Sequence, residues 1–195
     1  MVEKKKKQVN IQSICSRFVS LYIYPSRLEP LLRKRVKSFF PELSAEVDQI
    51  IWGDVFKQLR NCGCHVSMLC FKTYVNSWCT SYRYHEERLL PCIFGCTGAK
   101  DLLQHYMSCE RLWRLLQRVT KLKYQQNVLE RIGLLKPSQT MFCRLAVAFT
   151  VYHGVKIGER EVVTNALASG RFGPLAKIAH NFADSAHRSF SSSLN

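Results

Sequence analysis

The sequence predicts a mainly α-helical protein, a helical domain carrying a small CCHC zinc knuckle made of a turn plus a helix. Three observations predict it. Apolar residues recur at three- and four-residue spacing from Pro41 onward. Pro and Gly at Gly63, Pro137, Gly158 and Gly173–Pro174 cut that pattern into helix-sized pieces. Between two of those pieces, Cys92, Cys96, His105 and Cys109 stand as C-x3-C-x8-H-x3-C.

Residues 1–40 read as a basic N-terminal arm and connector, because Lys4 to Lys7 form a run, no clean period follows, and Pro25 and Pro30 punctuate the rest. Residues 41–88 read as a helical segment. Within it, PELSAEVDQIIWGDVFKQLR offers Val47, Ile50, Ile51, Val55 and Leu59 to a core. A second helix over about 65–78 offers Met68, Leu69, Phe71, Tyr74 and Val75, and CTSYRYHEERLLP (79–91) reads as a connector or short strand. Residues 89–121 hold the knuckle and its helix. Residues 122–190 form a C-terminal helical segment, with helices expected near 125–134, 138–155, 159–169 and 174–189, and 191–195 form a tail expected to fray. No repeat stands at solenoid spacing.

At 195 residues the chain is long enough to bury a core without disulfides, so a metal would organise a patch rather than hold up the fold. Twenty-nine Lys and Arg against 14 Asp and Glu leave a formal charge of +15, spread over all three thirds of the chain. Such a balance points to a polyanion, with RNA or DNA as the default partner. Nine cysteines without a convincing secretion signal are expected to be reduced thiols of an intracellular protein, nuclear or cytoplasmic. The longest apolar stretch, Leu145 to Tyr152, is far short of the roughly 18–20 residues that cross a bilayer, so no membrane partner is expected.

Zinc draws four thiolate or imidazole ligands into a tetrahedron, and both halves of such a site can be read here. Gly95 and Gly98 let the chain curl around Cys92 and Cys96. Asp101 is a candidate N-cap for the next helix, on which His105 and Cys109 stand one turn apart. Wound as a single helix, residues 101–121 gather Leu102, His105, Cys109, Leu112, Trp113, Leu116 and Val119 on one side. Arg111, Arg114, Arg118 and Lys121 gather on the other. With Lys100 just ahead of the helix, these are the candidate phosphate contacts; an ordinary solvated face is the competing reading. Phe94 is either a surface on which an unpaired base stacks or a core residue folded toward Trp113. Cys62-Gly-Cys64-His65 cannot easily converge on one ion and reads as structural thiols at a helix joint. No catalytic residue is assigned. The chain has no Ser-His-Asp order and no phosphate-cradling glycine loop, and the two carboxylates of Gly158-Glu-Arg-Glu161 face apart on a helix.

Residues 71–113 resemble the segment that follows the polymerase domain in reverse-transcriptase-like proteins of non-LTR retrotransposons. The likeness lies in a helix ending near Asn76-Ser-Trp78, an Arg-containing connector, the cysteine pair, and Asp101-Leu-Leu-Gln-His105-Tyr106-Met-Ser-Cys109 followed by Trp113. It implies that Cys92, Cys96, His105 and Cys109 ligate zinc in a knuckle that helps to hold template RNA or target DNA. The family's paired-aspartate strand is missing, since the aspartates are Asp48, Asp54, Asp101 and Asp184, and no Pro-Asp occurs. The expectation is therefore a non-catalytic, zinc-binding nucleic-acid module, the C-terminal part of such a reverse-transcriptase-like protein read as a separate or truncated frame, with a protein partner or an upstream polymerase domain as the further partner to look for. The alternatives are a helical protein-interaction module with a purely structural zinc, or a decaying retroelement fragment.

Overall fold

The computed structural model describes residues 25–191, so the Lys4–Lys7 run and most of the tail lie outside the described residues. Along the chain come α1 (Pro25–Phe39), a 3-10 turn (Pro41–Leu43), α2 (Ser44–Asp48), α3 (Trp52–Arg60) and α4 (Cys64–Tyr74). After the cysteine loop follow α5 (Leu103–Ser108), α6 (Glu110–Thr120), α7 (Val128–Arg131) and α8 (Gln139–His153). A π-helical turn (Gly154–Gly158), α9 (Arg160–Ser169) and α10 (Gly173–Ser191) complete it. Among the described residues there is no β-strand, only an isolated antiparallel bridge between Pro91 and Lys100.

Helix α8 is the axis of the architecture. Eleven of its 15 residues are buried, so it lacks the polar face of a surface helix and must be enclosed by neighbours. Those neighbours are α4, α6 and α10. Ser138 caps its first turn by accepting from the Met141 N–H. One cluster of buried side chains runs from Leu32 to Phe190, so the segments distinguished in the sequence share a core. Among the described residues no helix is long and apolar enough to cross a membrane.

Three expectations about local structure change. Residues 25–39, read as connector, form a helix despite Pro30, because Leu32 and Val36 stack one turn apart against the core. The helix expected over 41–60 breaks after Asp48. Arg33 donates to the carbonyls of Val47 (2.6 Å) and Ile50 (3.2 Å), which a continuous helix would have bonded to its own amides. Ile51 consequently points to solvent at 67 % exposure, and Met68 is also exposed. The helix expected over 101–121 breaks at Cys109, with consequences for the metal centre. Connector 79–91 is a series of turns rather than a strand.

Candidate metal centre

The cysteine loop is closed at its base by the Pro91–Lys100 bridge and by the Cys92 N–H donating to Ala99 O at 2.9 Å. Inside it, the Gly95 N–H donates to Cys92 O at 2.9 Å, and Gly95 takes a φ of 82°. That turn carries Cys92 and Cys96 around to one point. Gly95 is also obligatory for space, since a Cβ there would lie 2.7 Å from the Phe172 ring. His105 comes from α5. Cys109 is the joint between α5 and α6, with extended backbone (ψ 104°), and its carbonyl accepts the Trp113 N–H to start α6. The break turns the chain at the fourth member of the cluster, yet the buried stripe survives it: Leu112, Trp113 and Leu116 remain inside.

All four candidate ligand atoms lie within 4.8 Å of one another. The Cys109 Sγ is 3.9 Å from Cys92 Sγ and 3.5 Å from Cys96 Sγ. A tetrahedral ion with metal–sulfur bonds of about 2.3 Å separates its sulfurs by roughly 3.8 Å, so the spacing fits a bound ion. The ring nitrogen Nε2 of His105 is buried without a hydrogen-bond partner, which suits it to ligate a metal. Proton sharing says the same. Hydrogen bonding from Cys109 pulls the Cys92 thiol down to about 4 and the Cys96 thiol down to about 7. The Cys109 thiol is in turn pushed up by its bonds to Cys92 and Cys96. Burial opposes charge on His105, but the Cys92 thiolate outweighs it and raises the imidazole pKa. Three thiols cannot all ionise at one point without a cation. The cluster can hold a metal ion, and the Cys₃His donor set is soft enough to favour a thiophilic one.

The basic residues expected beside this centre lie on the outer face of α6. Arg111, Arg114, Arg118 and Lys121 are exposed, as is Lys100 on the loop. They are not equally free. Arg114 pairs with Glu110 at i, i+4, and Arg111 donates to Phe94 O at 3.3 Å while lying 5.8 Å from the centre of the Phe172 ring. Arg118 and Lys121 have no acidic partner among the described residues. Between α6 and α10 runs a groove of about 490 Å³, with Leu115, Phe172 and Leu175 in its lining and Arg111, Arg114 and Arg118 along one side.

Phe94 does not present a free ring to a base. It is buried, edge-to-face with Tyr106 at 6.0 Å rather than against Trp113. Asp101 does not cap a helix either. Its carboxylate is wholly buried and accepts the Ser81 N–H (2.6 Å), the Tyr106 hydroxyl (2.6 Å), the Tyr152 hydroxyl (2.9 Å) and the Lys156 ammonium. Burial pushes this carboxyl up, but the bonds from Lys156, Tyr106 and Ser81 prevail and hold it below its ordinary range. Cys62 donates to Gln58 O at 3.5 Å at the end of α3, while Cys64 is exposed at the start of α4.

Two of the basic residues counted in the sequence are structural. Arg131 and Arg144 are each 2 % exposed. Arg131 donates to the carbonyls of Met107, Gln125 and Gln126, and Arg144 to Lys123 O, with both guanidiniums over the Trp113 ring. Burial lowers both pKa values, that of Arg144 to about 10. For Arg144 the available signal was the apolar run MFCRLAVAF around it, which leaves a helix little polar face to carry it. No protein-family profile, curated protein or solved structure matches this chain.

Proposed function

We propose that the chain is a non-catalytic, zinc-binding nucleic-acid module, which grips RNA or DNA phosphates with the outer face of α6. The observation that carries the reading is the junction at Cys109: the residue that completes the ligand cluster also begins the helix that displays Arg111, Arg114 and Arg118. Zinc suits a tetrahedral Cys₃His set and reduced intracellular thiols. Bound there, it would supply the positive charge that lets Cys92, Cys96 and Cys109 ionise together, and it would fix the N-terminal end of α6. Parentage in the C-terminal region of a retrotransposon reverse-transcriptase-like protein follows from the resemblance of residues 71–113.

The test is a salt series on the purified, zinc-loaded chain. Binding to RNA or DNA is expected to weaken linearly in log–log form as salt rises. Changing Arg111, Arg114 and Arg118 to Ala should remove up to three phosphate contacts and flatten the slope by roughly 0.7–0.9 for each. Affinity indifferent to both salt and the triple change would overturn the reading. A second reading, a protein-interaction module with a structural zinc, draws support from the apolar lining of the α6–α10 groove. It predicts that the triple change leaves nucleic-acid binding intact.

A further inference from the structure

Connector 79–91 contributes nothing to the metal cluster, yet it is elaborately held. Trp78, Cys79, Thr80 and Ser81 are buried at its root. The Ser81 N–H is fixed on buried Asp101, and Ser81 Oγ accepts the Leu90 N–H at 3.1 Å, tying the two limbs together. Within the loop, Tyr84 N–H donates to Thr80 O, His85 N–H to Tyr82 O and Glu86 N–H to Ser81 O. His85 closes the turn in the left-handed region at a φ of 52°, a conformation a non-glycine residue adopts only when its surroundings enforce it.

This framework leaves two rings in water. Tyr82 is 54 % exposed and Tyr84 61 %. Single exposed apolar residues are ordinary; two aromatic rings within three residues on a pinned loop are a display. The flanking charges cancel, Arg83 and Arg88 against Glu86 and Glu87. Beside the loop opens a groove of about 580 Å³ lined in part by Arg88, Leu90, Pro91, Arg160 and Leu167.

We infer that Tyr82 and Tyr84 form a stacking platform for the unpaired bases of a single-stranded nucleic acid, whose backbone runs on past Arg88 and Arg160. This rests on the nucleic-acid reading and narrows it to a strand with accessible bases. Duplex bases present no open faces to such rings, whereas every unpaired base has one. The rigid root matters because a loop already ordered loses little entropy when it binds. Since the two rings are uncharged, their stacking contribution is independent of salt, in contrast to that of the arginines.

The experiment compares fluorescence anisotropy of an oligothymidylate of about 20 nucleotides with that of a duplex of equal length, for the zinc-loaded chain and three variants. Tyr82→Ala/Tyr84→Ala should weaken single-strand binding roughly 100-fold, about tenfold per ring, with the salt slope unchanged and duplex binding barely altered. Tyr82→Phe/Tyr84→Phe should keep the affinity, because the rings remain. Arg111→Ala/Arg114→Ala/Arg118→Ala should flatten the salt slope on both probes. Unchanged single-strand affinity in the Tyr-to-Ala variant, or equal loss on both probes, overturns the platform while leaving the arginine contact standing. Absence of binding to either probe at low salt overturns both.

Discussion

Just before α5 stands Asp101, a carboxylate with its counter-ion built in; at the end of α5, Cys109 joins two thiols and an imidazole that have none. Asp101, Cys92 and Cys109 are buried while Cys96 and His105 are half-buried, and both groups organise the segment that carries the cysteine loop. At Asp101 two hydroxyls, a backbone amide and the Lys156 ammonium satisfy the charge completely. At the cluster the thiols share protons with one another beside the His105 imidazole, whose Nε2 has no hydrogen-bond partner. A buried charge is tolerated only when paired, so the first group is finished by the chain, and the second is one that a metal ion could complete. Tyr106 connects them: its hydroxyl donates to Asp101 and accepts the Ile93 N–H of the cysteine loop.

The largest way to break this contrast is to remove the metal. Structural zinc sites typically bind with roughly 10–16 kcal/mol, so chelation, or Cys109→Ala, should release residues 91–109 to rapid amide exchange. The α4–α8–α10 core should stay protected, because its contacts do not pass through the cluster. Hydrogen exchange with metal analysis checks both halves, and equal protection with and without metal would refute the cluster's need for a cation.

Asp101→Asn attacks the finished group and should cost about 3–5 kcal/mol, measured by denaturant unfolding, because Lys156 is left without its counter-charge. The pH dependence has a definite sign. A carboxyl held below its ordinary value contributes stability that is fully present above the unfolded pKa of about 3.9 and is lost as pH falls through the folded value. The gap between wild type and variant should therefore be widest near neutrality and close below about pH 4. A gap that grew in acid would show that the carboxylate is not stabilising. The smallest effect is expected from Gly95→Ala, at about 1–3 kcal/mol. There the positive φ and the Phe172 ring both oppose a Cβ, so metal affinity should fall while the helical core keeps its melting temperature.

The Cys92, Cys96, His105 and Cys109 cluster was legible because metal chemistry restricts residue type and spacing so tightly that four positions suffice to propose it. The late helices were legible for a similar reason: over 138–155, 159–169 and 174–189 the period is unbroken and the joints are Gly or Pro, and the structure gives Gln139–His153, Arg160–Ser169 and Gly173–Ser191. The misread places share a cause. Pro25 and Pro30 look like breakers locally, but burial of Leu32 and Val36 overrides them. Asp101 has the identity and position of a cap, and nothing nearby reveals that Tyr152 and Lys156, more than 50 residues away, converge on it. Arg131 and Arg144 count as surface charge until the carbonyls that receive them are seen.

The sequence by itself determined the helical class, the four residues able to meet at a metal and the basic outer face of α6, since each depends on local periodicity, residue chemistry and short spacing. Tertiary structure alone decided that Phe94 is buried, which carbonyls receive Arg131 and Arg144, that Asp101 is a hub and that Tyr82 and Tyr84 are held in water. Those outcomes depend on which groups from elsewhere in the chain arrive to satisfy a charge or cover a ring, and no local pattern encodes encounters such as Arg144 with Lys123 or Asp101 with Tyr152.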